Sequence, residues 1–200
     1  MFENFSGRVT DALVHNQIIN IEDRDIYCYG VQQGLVAVLN FATTLLIGCL
    51  YGMPWESIIY MICYIPLRHY AGGFHAKTPA RCYVFSIFML FSVLLALKYI
   101  ILSRRICCIL VLFALLYIFV CAPVADYNKP LDDTEYHVYH KYATIVAVIE
   151  VGITLICLVS SLLYLAKCIA YCLIITVIMM TLGIGKNILM RKQHCSFTKE

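Results

Sequence analysis

The amino-acid sequence predicts an all-α, polytopic membrane protein with about six membrane segments and an N-terminal amphipathic surface helix. Of its 200 residues, 62% are hydrophobic and 14% are charged, whereas a typical soluble domain has about 25% charged residues. The mean hydropathy is +0.82. So few polar side chains cannot cover so much apolar surface, which argues against a soluble domain. The net charge of +3 is too small for a nucleic-acid-binding surface.

The first part of the chain, residues 1–33, has the pattern of an interfacial helix. Its apolar residues recur three and four positions apart, as in a helix: Phe2, Phe5, Val9, Ala12 and Leu13. Charged residues lie between them, and no apolar core of a signal peptide is visible. We expect one or two amphipathic helices on the membrane surface here, with a soluble helical arm as the alternative.

Six apolar stretches follow, at residues 34–52, 55–67, 83–102, 106–124, 142–165 and 168–190. The second would rise only about 20 Å as a helix, less than the roughly 30 Å hydrocarbon core. It therefore either spans half the membrane or is extended by the residues after it. We expect a single domain over residues 1–200, with the N-terminal helices at 1–33, the membrane bundle at 34–190 and a basic tail at 191–200.

Two polar islands interrupt the apolar stretches, a first island at 68–81 and a second at 125–141. Placing both islands and both termini on one side of the membrane puts 11 of the 15 Lys and Arg residues there. The other four are Lys98, Arg104, Arg105 and Lys167. The positive-inside rule makes the richer side cytoplasmic, where a free thiol persists. The 11 cysteines are odd in number and lie mostly in apolar runs, so a disulfide framework is not expected.

The first island carries the most chemical information. Thr78-Pro79 is a helix-start pattern, so Cys82 should lie in the first turn of the next helix. The positive end of the helix dipole and the nearby Lys77 and Arg81 favour the thiolate, which is the nucleophilic form.

His75 precedes Cys82 by seven residues. An unbroken helix would place the two about 10 Å apart along its axis, too far for proton transfer. The break at Pro79 allows the loop to fold back, and Gly72-Gly73 permits a tight bend. These features predict a Cys–His nucleophile–base pair at the membrane surface. His69 is a rival base, and a Cys and a His that merely share a loop are the structural alternative.

Other ionisable groups offer weaker signals. Glu150 lies eight residues into the fifth stretch, where a carboxyl group is either functional or satisfied by a neighbouring helix. His137 and His140 share a helical face near Asp132 and Asp133, but no third-ligand pattern is apparent. We therefore expect neither a metal site nor a cofactor.

The chain resembles the accessory gene regulator B (AgrB) family of membrane peptidases. The residues that match its Arg-x-x-x-Gly-Gly-x-His-Ala…Cys signature are Arg68, Gly72-Gly73-Phe74-His75-Ala76 and Cys82. A second match is Ala122-Pro123-Val124 followed by Asn128-Lys129-Pro130-Leu131. The resemblance implies an enzyme that processes an AgrD-type propeptide into a cyclic quorum-sensing peptide. It further implies Cys82 as nucleophile, His75 as base, Arg68 and Gly73 as positioning residues, and a homodimer.

The chemistry that fits these residues is a thioester mechanism. Cys82 attacks a peptide carbonyl, the C-terminal part of the propeptide leaves, and a thiol or hydroxyl of the bound peptide closes a thiolactone or lactone ring. The oxyanion is stabilised by N–H groups at the helix start near Cys82, or by those of Gly72 and Gly73. The substrate-binding candidates are Lys77, Arg81, Lys129 and Glu150.

Two other functions remain open from the sequence. The first is a non-enzymatic transporter or exporter of a small peptide, with Glu56 and Glu150 on the pathway. The second is a membrane metalloprotease that uses His75, His137 and His140.

Overall fold

Helices form every regular element that the computed structural model describes, over residues 2–74, 79–126 and 131–197. A short 3-10 helix at Ile21–Asp23 follows the first α-helix. The α-helices are α1 (Phe2–His15), α2 (Arg24–Tyr51), α3 (Pro54–Ala71), α4 (Pro79–Tyr99), α5 (Arg104–Cys121), α6 (Asp133–Val159) and α7 (Leu163–Phe197). The predicted all-α class is confirmed.

Five helical segments in the described part of the chain are long and apolar enough to cross a membrane. They are Ile21–Leu50, Arg81–Tyr99, Arg104–Cys121, Asp133–Val159 and Leu163–Arg191. The protein is therefore a multi-pass membrane protein. The short apolar stretch at 55–67 is part of α3, which has 18 residues and ends at Ala71. The residues after the stretch therefore extend the helix, which was one of the two alternatives predicted. Glu56, Arg68 and His69 near its ends make α3 less apolar than the other five.

One end of the bundle, here called the distal end, contains the turns between α2 and α3, α4 and α5, and α6 and α7. The Tyr164 hydroxyl at the start of α7 donates a hydrogen bond to Glu56 Oε1 at the start of α3, 2.5 Å away. Arg104 at the start of α5 donates to Ser161 Oγ in the last turn, over 3.1 Å. These contacts bring the three turns to a common level.

The described parts of both polar islands meet at the opposite end, here called the island end. The Val124 N–H donates to the Ala71 carbonyl oxygen over 2.9 Å. Lys186 on α7 forms an ion pair with Asp126 over 2.6 Å. Helices α2 to α7 thus run between the same two ends, α3 included.

Helix α7 lies at the centre of the bundle, packed against α3, α4, α5 and α6. Small side chains at these contacts allow the helix backbones to approach closely. Four of them are fully buried: Ala143, Ala147, Ala166 and Ala170.

Helix α1 packs along the beginning of α2. Its Ser6 and Thr10 face inward and are fully buried, while Phe5 is 54% exposed. Asp11 forms an ion pair with Arg24 over 2.7 Å. Helix α2 begins at Arg24, so residues 24–33 continue directly into the membrane span rather than forming a separate surface helix. The charges there do not end the helix, and no proline interrupts it.

Candidate active site

Helix α4 begins at Pro79, as the Thr78-Pro79 pattern predicts. Cys82 is the fourth residue of α4 and is half-buried. The Ser86 hydroxyl, one turn further along, donates a hydrogen bond to the Cys82 carbonyl oxygen over 3.1 Å. The candidate nucleophile therefore stands in the first turn of the helix, at the island end of the bundle.

A cavity of about 170 Å³, the Cys82 pocket, opens beside this thiol. Its lining consists of Tyr64, Arg68, Phe74, Cys82, Phe85, Ser86, Met89 and Met179. The rings of Phe74 and Phe85 lie 5.3 Å apart and form one wall. The described lining of the pocket is thus mostly apolar and includes one cationic side chain, that of Arg68.

Arg68 holds the segment that follows α3. Its Nη1 donates to the Gly72 carbonyl oxygen and its Nη2 to the Phe74 carbonyl oxygen. The planar guanidinium is suited to such a fork, because its N–H groups are fixed relative to each other. The last turn of α3 thereby fixes the backbone that leads to His75.

Gly72 and Gly73 form the bend that the sequence predicts, with φ angles of +69° and +118° that favour glycine. The Gly72 N–H donates to the Arg68 carbonyl oxygen and the Gly73 N–H to that of Val124, over 3.2 and 2.9 Å. A Cβ on Gly73 would lie 2.7 Å from Arg68 Nη1. Both N–H groups are engaged within the protein, so the bend holds the backbone in place.

Helix α7 also contacts the segment that contains Gly73 and Phe74. The Phe74 N–H donates to the Met179 carbonyl oxygen over 2.9 Å. Gly183 allows this approach, since a Cβ there would lie 2.6 Å from the Gly73 carbonyl carbon. Sequence reasoning missed Val124, Met179 and Gly183 as supports. The available signals were the Ala122-Pro123-Val124 match for Val124 and a glycine within an apolar span for Gly183.

His75 and Lys77, the predicted base and a substrate-binding candidate, lie outside the described residues, as does Lys129. The rival base His69 lines a different cavity of about 420 Å³, together with Tyr70 and Tyr139. Its ring centroid lies 4.9 Å from that of Tyr70 and 6.0 Å from that of Tyr139. His69 is therefore not among the residues that line the Cys82 pocket.

The remaining candidates are dispersed. Arg81 is exposed beside Cys82. Glu150 is only 5% exposed, and among the described residues no hydrogen-bond partner reaches its Oε2. Nδ1 of His140 lies 2.8 Å from the Ala122 carbonyl oxygen. In the described ranges, no three His, Cys, Asp or Glu side chains are grouped so that they could hold a metal ion.

The arrangement places a half-buried thiol and a fixed arginine in one pocket, and the arginine also holds the adjacent glycine bend. The family model described as Accessory gene regulator B matches residues 6–182, which include all of these features. The chain belongs to the AgrB family. The resemblance seen in the sequence is thus confirmed, and Arg68, Phe74 and Cys82 of the signature line the pocket of this AgrB family member.

Two relatives come from Clostridium perfringens. The protein named "Putative AgrB-like protein" in strain SM101 is 22% identical over 138 residues, and "Putative AgrB-like protein 2" in strain 13 is 24% identical over 138 residues. Each alignment covers 66% of this chain and 64% of the relative, so the match spans less than two thirds of each relative's length. No solved structure matches this AgrB family member.

Proposed function

We propose that this AgrB family member is a membrane cysteine endopeptidase that cleaves an AgrD-type propeptide and cyclises the product through a Cys82 thioester. The observation that carries the proposal is the half-buried Cys82 thiol at the start of α4. It lines a largely apolar pocket next to the backbone of Gly72 and Phe74, which Arg68 holds by hydrogen bonds. A nucleophilic thiol requires this kind of partly enclosed, electropositive position.

The first step forms the acyl-enzyme. His75 accepts the Cys82 proton, and Sγ attacks the carbonyl carbon of the scissile peptide bond. Collapse of the tetrahedral intermediate breaks the C–N bond, and His75 returns the proton to the departing amine. Because the Gly72 and Gly73 N–H groups are already bonded, we assign the oxyanion to the main-chain N–H groups at the start of α4.

The second step transfers the acyl group. A thiol or hydroxyl of the bound peptide attacks the thioester, its proton passes to His75, and the Cys82 thiolate leaves as the ring closes. Hydrolysis competes with this step unless water is kept away. The apolar walls of the pocket, among them Phe74, Phe85 and Met89, meet that need.

The charged side chains around the site have supporting roles in this proposal. Lys77, Arg81 and Lys129 bind the charged part of the propeptide, and the island end with both termini faces the cytoplasm. Arg68 and Gly73 are positioning residues, because both hold the backbone between α3 and α4. A homodimer remains a prediction from the family resemblance.

Replacing the nucleophile tests the proposal. With a co-expressed AgrD-type propeptide, we expect Cys82→Ala to abolish cleavage while the protein still inserts in the membrane. Cys121→Ala is the matched control, because Cys121 is also half-buried but does not line the Cys82 pocket, and it should cleave normally. Full cleavage by Cys82→Ala would overturn the proposal and favour the transporter alternative, which does not need the thiol.

The base assignment has its own comparison. We expect His75→Ala to stop cleavage and His69→Ala to preserve it, because His69 lines the neighbouring cavity rather than the Cys82 pocket. The propeptide is followed by mass spectrometry in membranes that contain equal amounts of each variant. The reverse result would assign the base to His69.

A further inference from the structure

A groove between α2, α3 and α4 adjoins the Cys82 pocket. It has a volume of about 480 Å³, and Ala37, Asn40, Thr44, Tyr60, Tyr64 and Ser86 are among its lining residues. This volume lies within the roughly 300–1,000 Å³ range of ligand sites. Tyr64 and Ser86 line both the groove and the Cys82 pocket. The two spaces therefore adjoin each other at these side chains.

The groove extends away from the island end, toward the middle of the bundle. Ser86 lies one helical turn beyond Cys82 on α4, and Tyr64 lies two turns before the end of α3. Asn40 lies in the second half of α2, which leads to the distal end. An occupant of the groove thus lies deeper in the membrane than the thiol.

The polar atoms in the groove favour a peptide over a lipid chain. Within the described residues, neither the Asn40 amide nor the Thr44 hydroxyl has a hydrogen bond that would satisfy its donors inside the protein. Polar groups at membrane depth are costly unless they are paired. A peptide backbone at this depth also needs hydrogen-bond partners, whereas an acyl chain offers none.

We propose that the α2–α4 groove binds the apolar segment of the substrate peptide that remains attached to Cys82 as the acyl group. This inference rests on the proposed function. The acyl segment has to stay bound and dry through two chemical steps, which suits a largely apolar groove on the membrane-facing side of α2, α3 and α4.

A second cavity, on the island side of the Cys82 pocket, suits the C-terminal part of the propeptide that leaves after cleavage. On the far side of the Phe74–Phe85 pair, a cavity of about 660 Å³ lies between α4 and α7. Lys186, which is paired with Asp126 of the second island, lines it. This cavity lies at the charged island end, where a released segment passes into water. The peptide therefore crosses Cys82 from the α2–α4 groove toward the island end.

Filling the groove tests the inference. We expect Ala37→Trp to lower the rate of propeptide cleavage by about tenfold or more, because a misplaced acyl segment loses its alignment with the thiol. Ala42→Trp is the matched control, since Ala42 is exposed on the same helix but does not line the groove. Replacing large apolar residues on the N-terminal side of the cleaved bond with alanine should restore cleavage by Ala37→Trp.

Alkylation of Cys82 by iodoacetamide shows whether the pocket itself is intact. We expect equal alkylation rates in Ala37→Trp, Ala42→Trp and the unsubstituted chain. Equal cleavage by all three would overturn the groove assignment. If Ala37→Trp failed to fold, the second experiment below would decide.

Photo-crosslinking identifies the occupant directly. A benzophenone amino acid is placed at position 37 or 42 in the Cys82→Ala chain, in membranes with the co-expressed propeptide. We expect position 37, and not 42, to capture the propeptide on the N-terminal side of its cleavage site. Capture of lipid only, of a second copy of this chain, or of the C-terminal propeptide segment would overturn the inference. Cleavage by Cys82→Ala, by contrast, would overturn the proposed function itself.

Discussion

Arg68 shows how one side chain organises the site. Its guanidinium donates to two carbonyl oxygens of the glycine bend while it also lines the Cys82 pocket. A lysine has the same charge but lacks the planar fork. We expect Arg68→Lys to lower the cleavage rate by about tenfold to a hundredfold, because small displacements of a catalytic group have effects of this size.

The matched control for Arg68→Lys is Arg105→Lys, since Arg105 is exposed at the distal end. Both variants are quantified in membranes, and the pH dependence of Cys82 alkylation by iodoacetamide is measured alongside cleavage. If Arg68 had only a structural role, Arg68→Lys would reduce the amount of folded protein without altering the pH dependence of Cys82 alkylation. Normal cleavage by Arg68→Lys would contradict the assigned role of the fork.

The sequence was sufficient for the local residues of the site and insufficient for their distant supports. Arg68, Gly72 and Cys82 lie close together in the sequence. Helix-start and glycine rules pointed to Cys82 and to the bend, and the family resemblance pointed to Arg68. Val124 and Met179 contact this island from far along the chain through main-chain carbonyl oxygens. Main-chain partners leave no mark on residue type, so residue-type rules did not connect them to the island, although the family resemblance had singled out the segment that contains Val124.

At the scale of elements, α7 and the glycine bend fit together through Gly183. Alanine in place of glycine ordinarily stabilises a helix by about 1 kcal/mol. At Gly183 the added Cβ would lie 2.7 Å from the Phe74 nitrogen, and such overpacking typically costs about 1–3 kcal/mol. We therefore expect Gly183→Ala to lower the thermal unfolding midpoint in detergent and to alter the rate of Cys82 alkylation.

Gly185→Ala is the control on the same helix, because a Cβ there would have nothing within 4 Å. It should leave the midpoint unchanged or raise it. An increase in the thermal unfolding midpoint for both variants would show that α7 does not pack tightly against the glycine bend.

Local sequence signals mark the starts of three helices. Pro54 and Pro79 stand at the first positions of α3 and α4, as proline's fixed φ favours. Helix α6 begins at Asp133, well inside the second island, with a capping box formed by Asp132 and Glu135. That signal was present in the sequence, but the apolar pattern alone placed the span later. Hydropathy reports where lipid begins, whereas capping reports where the helix begins.

At the scale of the whole molecule, the segments of the two polar islands that the structure describes lie together at one end of the bundle. The described parts of the islands are joined by Gly73 and Val124, and α7 is tied to them by Lys186–Asp126 and by the Asn187 side chain, which donates to the Ala125 carbonyl oxygen. Residues far apart in sequence thus converge on the face that contains the Cys82 pocket. The shared location of the islands agrees with the charge-based arrangement, and the side of the membrane remains a prediction.

That orientation can be tested with one cysteine at each end of the bundle. Ile101 is 92% exposed at the distal end, and Tyr136 is 44% exposed at the island end. If the positive-inside rule sets the topology, a membrane-impermeant maleimide should label Ile101→Cys in intact cells and Tyr136→Cys only after permeabilisation. Mass spectrometry of the labelled peptides separates these sites from the native thiols. Labelling of Tyr136→Cys in intact cells would place the Cys82 pocket outside, where a propeptide made in the cytosol could not reach it before crossing the membrane.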